Sequence, residues 1–270
     1  MSETRGRLNA WVEGIGLVGP GLADWPQAAA VLRGEVDYEP GRCALPVPPA
    51  LPAAERRRTG AAVRVALAAA MAACEAAGRP PSTLATVFSA SGGDGDNCHA
   101  ICEVLASSER FISPTRFHNS VHNAPAGYWS IAAQAMAAST SLAAFDASFA
   151  AGLLEAIVQA QASREPRMLI AYDTGYPEPL HAKRPIPDAF AVALVLVPER
   201  SARAIAQLTL ALGDGTVECC ANPVLETLRA GNPAARALPL LAVLAQRRAG
   251  TIVLDYLAPP RLLVHVECPA

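Results

Sequence analysis

The stretch Ala189 to Val197 reads Ala-Phe-Ala-Val-Ala-Leu-Val-Leu-Val and holds no polar residue. A strand with one wet face alternates apolar and polar side chains, so a run this uniform must be covered on both faces, as in a sheet sandwiched between helices. Further apolar strands are predicted at Leu8 to Val18, Leu84 to Ala90, Ser139 to Phe145 and Met168 to Tyr172. Between them lie helical stretches at Trp25 to Arg33, Thr59 to Ala77, Asn97 to Ser107, Val121 to Ala137 and Asp146 to Ala162. Strands alternating with helices predict an α/β fold. The punctuation agrees: Gly19-Pro20-Gly21 ends the first strand, Asp24 caps the helix after it, and Gly34 and Gly78 stop two helices. Pro125 fits only the first turn of its helix. Glu35 to Ala54, Glu109 to Asn119 and Pro177 to Pro187 are predicted to be loops.

After Pro198 the pattern changes to a strand (Ala204 to Leu212), helices at Val224 to Arg229 and Pro233 to Arg248, and a hairpin. Pro239 is placed to split or kink the second helix. The hairpin arms are Thr251 to Leu257 and Arg261 to Val266, around Ala258-Pro259-Pro260. The expected organisation is a larger N-terminal part, 1–200, with a compact part, 201–270, packed onto it as one domain.

Composition removes several classes of function. With 52% hydrophobic and 17% charged residues in a chain of 270, a large core is available and disorder is excluded. A net charge of −2 leaves no basic surplus for a nucleic-acid backbone. No run reaches the roughly 18 apolar residues of a membrane span. Met1 to Leu8 carries Glu3, Arg5 and Arg7 with no apolar signal core after it, so a cytoplasmic location is expected. Seven scattered cysteines, an odd number, fit reduced thiols.

The most suggestive chemical element is the strand Ser141 to Phe145 running straight into Asp146 and a helix. At such an elbow the free N–H groups and the helix dipole favour negative charge, and enzymes place Ser or Cys nucleophiles there. As a local feature, Asp146 is also an ordinary helix cap. His118 and His122, four residues apart among Asn119 and Asn123, have no carboxylate or thiol beside them to complete a metal site, and are read as bonding loop backbone. Cys98, His99 and Cys102 are read as a free-thiol helix face. Ser91-Gly92-Gly93-Asp94-Gly95-Asp96 lacks the Lys-Ser/Thr of a phosphate loop, and its two aspartates would repel phosphate. No metal and no cofactor is expected.

Several segments, in collinear order over residues 9–198, carry a resemblance. They are Gly14-Ile15-Gly16-Leu17-Val18-Gly19-Pro20 with Trp25 and Leu32-Arg33-Gly34, Arg56-Arg57-Arg58, and Phe88-Ser89-Ala90-Ser91-Gly92-Gly93. Ile112 to Phe117, Asn119 to Gly127 and Ser141 to Ser148 complete the set. Together they resemble a β-ketoacyl synthase, which implies a thiolase-like α/β fold, here with a complete N-terminal half and a reduced C-terminal half.

The resemblance puts the family's acyl-accepting Cys at Asp146, where a carboxylate cannot form the thioester. It also leaves the family's two catalytic histidines unmatched: only His265 follows His181, inside the closing strand. The chain is thus similar to the chain-length factors of type II polyketide systems, and in its short form to the ketosynthase-like subunit of aryl polyene and xanthomonadin-type clusters. What this implies is a non-catalytic partner of a ketosynthase in a heterodimer that meets acyl carrier protein and bounds the acyl tunnel.

Arg56-Arg57-Arg58 is either a solvated helix start or a surface for that acidic carrier. Tyr128, Trp129, Met136, Phe145, Phe149 and His122 are the tunnel or interface candidates, with core packing as the alternative for the large side chains. Two rival functions stay open: an acyl-thioester-processing enzyme working through Asp146, His122 or Cys98, and a homodimeric scaffold.

Overall fold

The computed structural model describes residues 8–257 and 259–269, so the N-terminal stretch read for a leader and Ala258 of the hairpin turn lie outside it. Eight strands are present: β1 (Leu8–Val18), β2 (Ala85–Ser89), β3 (Ser139–Leu142), β4 (Arg167–Asp173), β5 (Phe190–Val197), β6 (Ala206–Gly213), β7 (Gly250–Leu254) and β8 (Arg261–Glu267). The helices of the first part are α1 (Trp25–Arg33), α2 (Ala53–Arg56), α3 (Ala61–Ala77), α4 (Gly95–Ala106), α5 (Pro114–His118), α6 (Ala124–Ala133), α7 (Ser148–Ser163) and α8 (Leu180–Lys183). Two more, α9 (Pro223–Gly231) and α10 (Leu238–Ala245), follow β6.

All eight strands form one sheet in the order β3-β2-β4-β5-β1-β6-β8-β7. Strands β2, β3 and β4 run parallel, so their C-terminal ends share one rim, while β5 and β1 pair antiparallel beside them. The last three strands extend this same sheet from β1 outward. The mixed α/β architecture is therefore the expected thiolase-like one.

The uniform apolar run of β5 sorts by size between the two faces. Phe190, Val192, Leu194 and Leu196 point to the core shared with α1, α7 and α10; Ala189, Ala191, Ala193 and Val195 point to the core shared with α3. The small side chains match Ala69, Ala70, Ala73 and Ala77 on α3, so that helix lies almost on the sheet. Gly14 and Gly16 of β1 complete the approach, since a Cβ on either would overlap the α3 backbone, at the carbonyls of Ala73 and Ala69. Arg79, just past the end of α3, ion-pairs with Glu13, a buried carboxylate of β1.

Several boundaries differ from those read in the sequence. The helix predicted from Val121 to Ala137 spans only Ala124–Ala133, because Gln134 turns left-handed and frees residues 135–138 to lead into β3. β3 stops at Leu142, and α7 starts at Ser148 after a 3-10 turn, Phe145–Ala147. The predicted loops at 109–119 and 177–187 contain the short helices α5 and α8. Pro239 does split its helix: Ala234–Ala237 is a 3-10 turn, and the proline occupies the first turn of α10, where its missing N–H costs nothing.

Gly16→Val, whose methyl groups would collide with α3, is expected to lower the urea unfolding free energy by about 3 kcal/mol. Gly127→Ala on α6, where an added Cβ meets nothing within 4 Å, should leave stability unchanged or raise it by about 0.5–1 kcal/mol.

Candidate functional site

The elbow after β3 is built by its backbone. Phe145 sits in the left-handed region at φ +51°, an unusual conformation for a bulky residue. Ser148 locks the turn on both sides: its Oγ accepts from the Ala144 N–H at 3.0 Å and donates to the Phe145 carbonyl at 2.7 Å. Behind it, Ser89 of β2 donates to the Ser148 carbonyl at 2.5 Å.

Asp146, in the middle of this turn, does not cap α7. No side-chain cap bond forms there, because the intervening 3-10 turn moves the helix start to Ser148 and two guanidinium groups take the carboxylate. Arg184 Nη2 donates to Oδ1 at 2.7 Å, and Arg236 Nη2 donates to Oδ2 at 2.9 Å. Arg236 also pairs with Asp255, which in turn pairs with Arg261. The result is an alternating chain of charges, Arg184–Asp146–Arg236–Asp255–Arg261, running from the loop before β5 to the hairpin of β7 and β8. Hydrogen bonds from two guanidinium groups thus engage both oxygens of Asp146. Arg184 further lies 3.8 Å from the centroid of the Phe145 ring, a cation–π contact.

A second polar group sits on the same rim. Asp173, at the C-terminal end of β4, is 2% exposed and accepts from both the N–H (2.9 Å) and the hydroxyl of Ser91 through Oδ1. Its Oδ2 has no partner among the described residues. Burial raises its pKa to about 7, against the opposing effect of the Ser91 hydrogen bonds and of Arg184.

The predicted site residues fall into two groups. Tyr128, Trp129 and Phe149 are buried in the chain's own core, with the Tyr128 hydroxyl donating to Asn119 Oδ1 at 3.0 Å. Met136 and Phe145 stand out at 98% and 63% exposure, just before and just after β3. His122 lies between them in burial, its Nε2 3.3 Å from the Ala90 carbonyl. His118 ends α5 and stacks edge-on against Tyr128 instead of facing His122. Cys98 and Cys102 are exposed thiols of α4. No group of three His, Cys, Asp or Glu side chains fit to hold a metal gathers among the described residues, and none of their helices is long and apolar enough to cross a membrane.

Sequence reasoning missed the arginines that hold Asp146, and also Asp173. One signal was available: Arg236 is the lone charge in the run from Asn232 to Ala245. Arg184 had no such signal, lying in a loop spaced by prolines.

The family model for the β-ketoacyl synthase N-terminal domain matches residues 25–229. The chain belongs to that family. No curated protein matches its sequence. Among solved structures, it is similar to a chain of the ketosynthase (ApeO) in complex with its chain length factor (ApeC) from Xenorhabdus doucetiae. That likeness has a TM-score of 0.71 at 21% identity and covers 96% of this chain and 99% of the other. A chain of the ishigamide ketosynthase/chain length factor gives 0.72 at 14%, covering 97% and 100%. A β-ketoacyl synthase from Burkholderia phymatum STM815 gives 0.58 at 12%, covering 89% of this chain but 71% of that one. At these identities the likeness is one of fold.

The Asp173 carboxyl sets a pH dependence. Its folded pKa, about 7, lies above the ordinary 3.8, so the protonated form favours the folded state. Its contribution is complete below about pH 4 and disappears as pH rises through 7. The stability of the wild type relative to Asp173→Asn is thus expected to fall by a few kcal/mol between pH 4 and 7, read from urea midpoints across that range.

Proposed function

We propose that this chain is the chain-length-factor-type partner of a catalytic ketosynthase: it pairs with that subunit, stabilises it and walls part of the acyl tunnel, without a covalent step of its own. The observation that carries this reading is that both oxygens of Asp146, which the sequence resemblance puts at the family's nucleophile position, are engaged by Arg184 and Arg236. Two guanidinium partners draw on the electron density of that carboxylate, and a carboxylate has no sulfur with which to form the thioester.

The surface around β3 supports the pairing. β3 is a terminal strand of the sheet, with one side free of any strand among the described residues. Free edges invite another strand, and stable proteins cover them. Exposed apolar side chains stand just before and just after this strand, Met136 and Phe145. Met136 and Phe145 are the candidates for the tunnel wall, since Tyr128, Trp129 and Phe149 already fill this chain's core. The near-complete overlay on chains of two ketosynthase/chain length factor complexes, against partial overlay on a β-ketoacyl synthase, also favours this role. The finer expectations belong here too: an aryl polyene or polyketide type of product, a cytoplasmic location, and carrier protein reaching the site through the complex. Arg57, Arg58 and Arg116 share a cleft of about 360 Å³ with Asp94 and Asp96, and these arginines are the candidates to meet the carrier.

Co-expression with the ketosynthase encoded beside it is expected to yield a one-to-one complex by native mass spectrometry. The isolated chain should keep its mass after incubation with acyl and malonyl carrier protein. Two proteins that never associate, or an acyl adduct on the solitary chain, would contradict the proposal.

A further inference from the structure

We infer that Phe145 is a preformed anchor that seats in the partner ketosynthase, and that Asp146, acting through Arg184, is the residue that positions it. This rests on the partner role proposed above and assigns a task to the carboxylate that stands where the nucleophile would be.

Three features single out Phe145 from the other exposed apolar residues. Its backbone is held at φ +51°, a conformation that is unfavourable for a bulky residue and persists only when the surroundings impose it. Those surroundings are explicit, because Ser148 bonds the peptide groups on both sides of the turn. The ring nevertheless remains 63% exposed, so the strain does not serve to bury it in this chain.

The ring is also fixed from one face. The guanidinium of Arg184 lies 3.8 Å from its centroid, and that guanidinium is itself held at 2.7 Å by Asp146. Asp146 is held in turn by Arg236, and the chain of charges ends in the β7–β8 hairpin. An exposed aromatic ring with its conformational freedom already removed is the kind of residue that dominates binding, since little ordering cost remains on association. Phe145, shortly after the free edge strand β3, and the exposed Met136, shortly before it, put one exposed apolar side chain beyond each end of that strand. The occupant to which this geometry commits is the catalytic subunit that covers that edge.

The test measures affinity for the co-encoded ketosynthase by calorimetry, for the wild type, F145A, F145L, R184A and the double variant F145A/R184A. Loss of the anchor should weaken binding about 100-fold, as for a central interface aromatic, with F145L recovering part of it. R184A should weaken binding about tenfold in the wild-type background and have no further effect in F145A, because it acts only through the ring. Circular dichroism and thermal midpoints of each variant report folding; if F145A does not fold, F145L and R184A must both still weaken binding. F145A binding within about threefold of the wild type, or an R184A effect of equal size in both backgrounds, overturns the inference and leaves the partner role standing. A wild-type chain that does not bind the ketosynthase removes both.

Discussion

Asp146 ties the elbow between β3 and α7 electrostatically to the segment that follows β6. It sits on a turn of the first part, between β3 and α7, yet one of its oxygens belongs to Arg236, from the segment that follows β6. Through Asp255 and Arg261 the same connection reaches the closing hairpin. Removing this half-buried carboxylate would leave Arg184 without its carboxylate partner and Arg236 with Asp255 alone, which is costly where water is partly excluded. Asp146 thus links the pose of Phe145, through Arg184, to the segment that carries Arg236.

A second constraint, steric in kind, sets the layers. Glycines in β1 and alanines in β5 and α3 bring that helix close to the sheet, while Leu, Val and Phe fill the opposite face against α7 and α10. The sheet is thus packed asymmetrically: one thin side against α3 and one thick side against α7 and α10. That arrangement places the C-terminal ends of β2, β3 and β4 on a common rim, where Ser91, Asp146 and Asp173 gather.

Much of this was legible in the residues. The apolar run at 189–197 demanded a covered sheet, and the glycine and proline punctuation located the strands and helices around it. The strand-turn-helix at 141–148 marked the elbow, and the collinear motifs pointed to the family. The misplacements share a cause: alanine-rich segments carry weak periodicity, so the start of α7 and the end of α6 were set by Ser148 and by the left-handed Gln134 instead of by any pattern. The ionic partners of Asp146 come from positions 38 and 90 residues away in the chain, and no local signal encodes such a contact. Asp173 was hidden at the end of an apolar strand, where burial gives a carboxyl properties its neighbours in sequence do not reveal.

The most direct measurement is a double-mutant cycle between Asp146→Ala and Arg236→Ala, read as urea unfolding free energies at neutral pH. A coupling of about 1–3 kcal/mol is expected for a partly buried, charge-assisted pair that links the two parts of the chain. Additive losses, with a coupling near zero, would show that the elbow carboxylate does not hold the C-terminal segment in place.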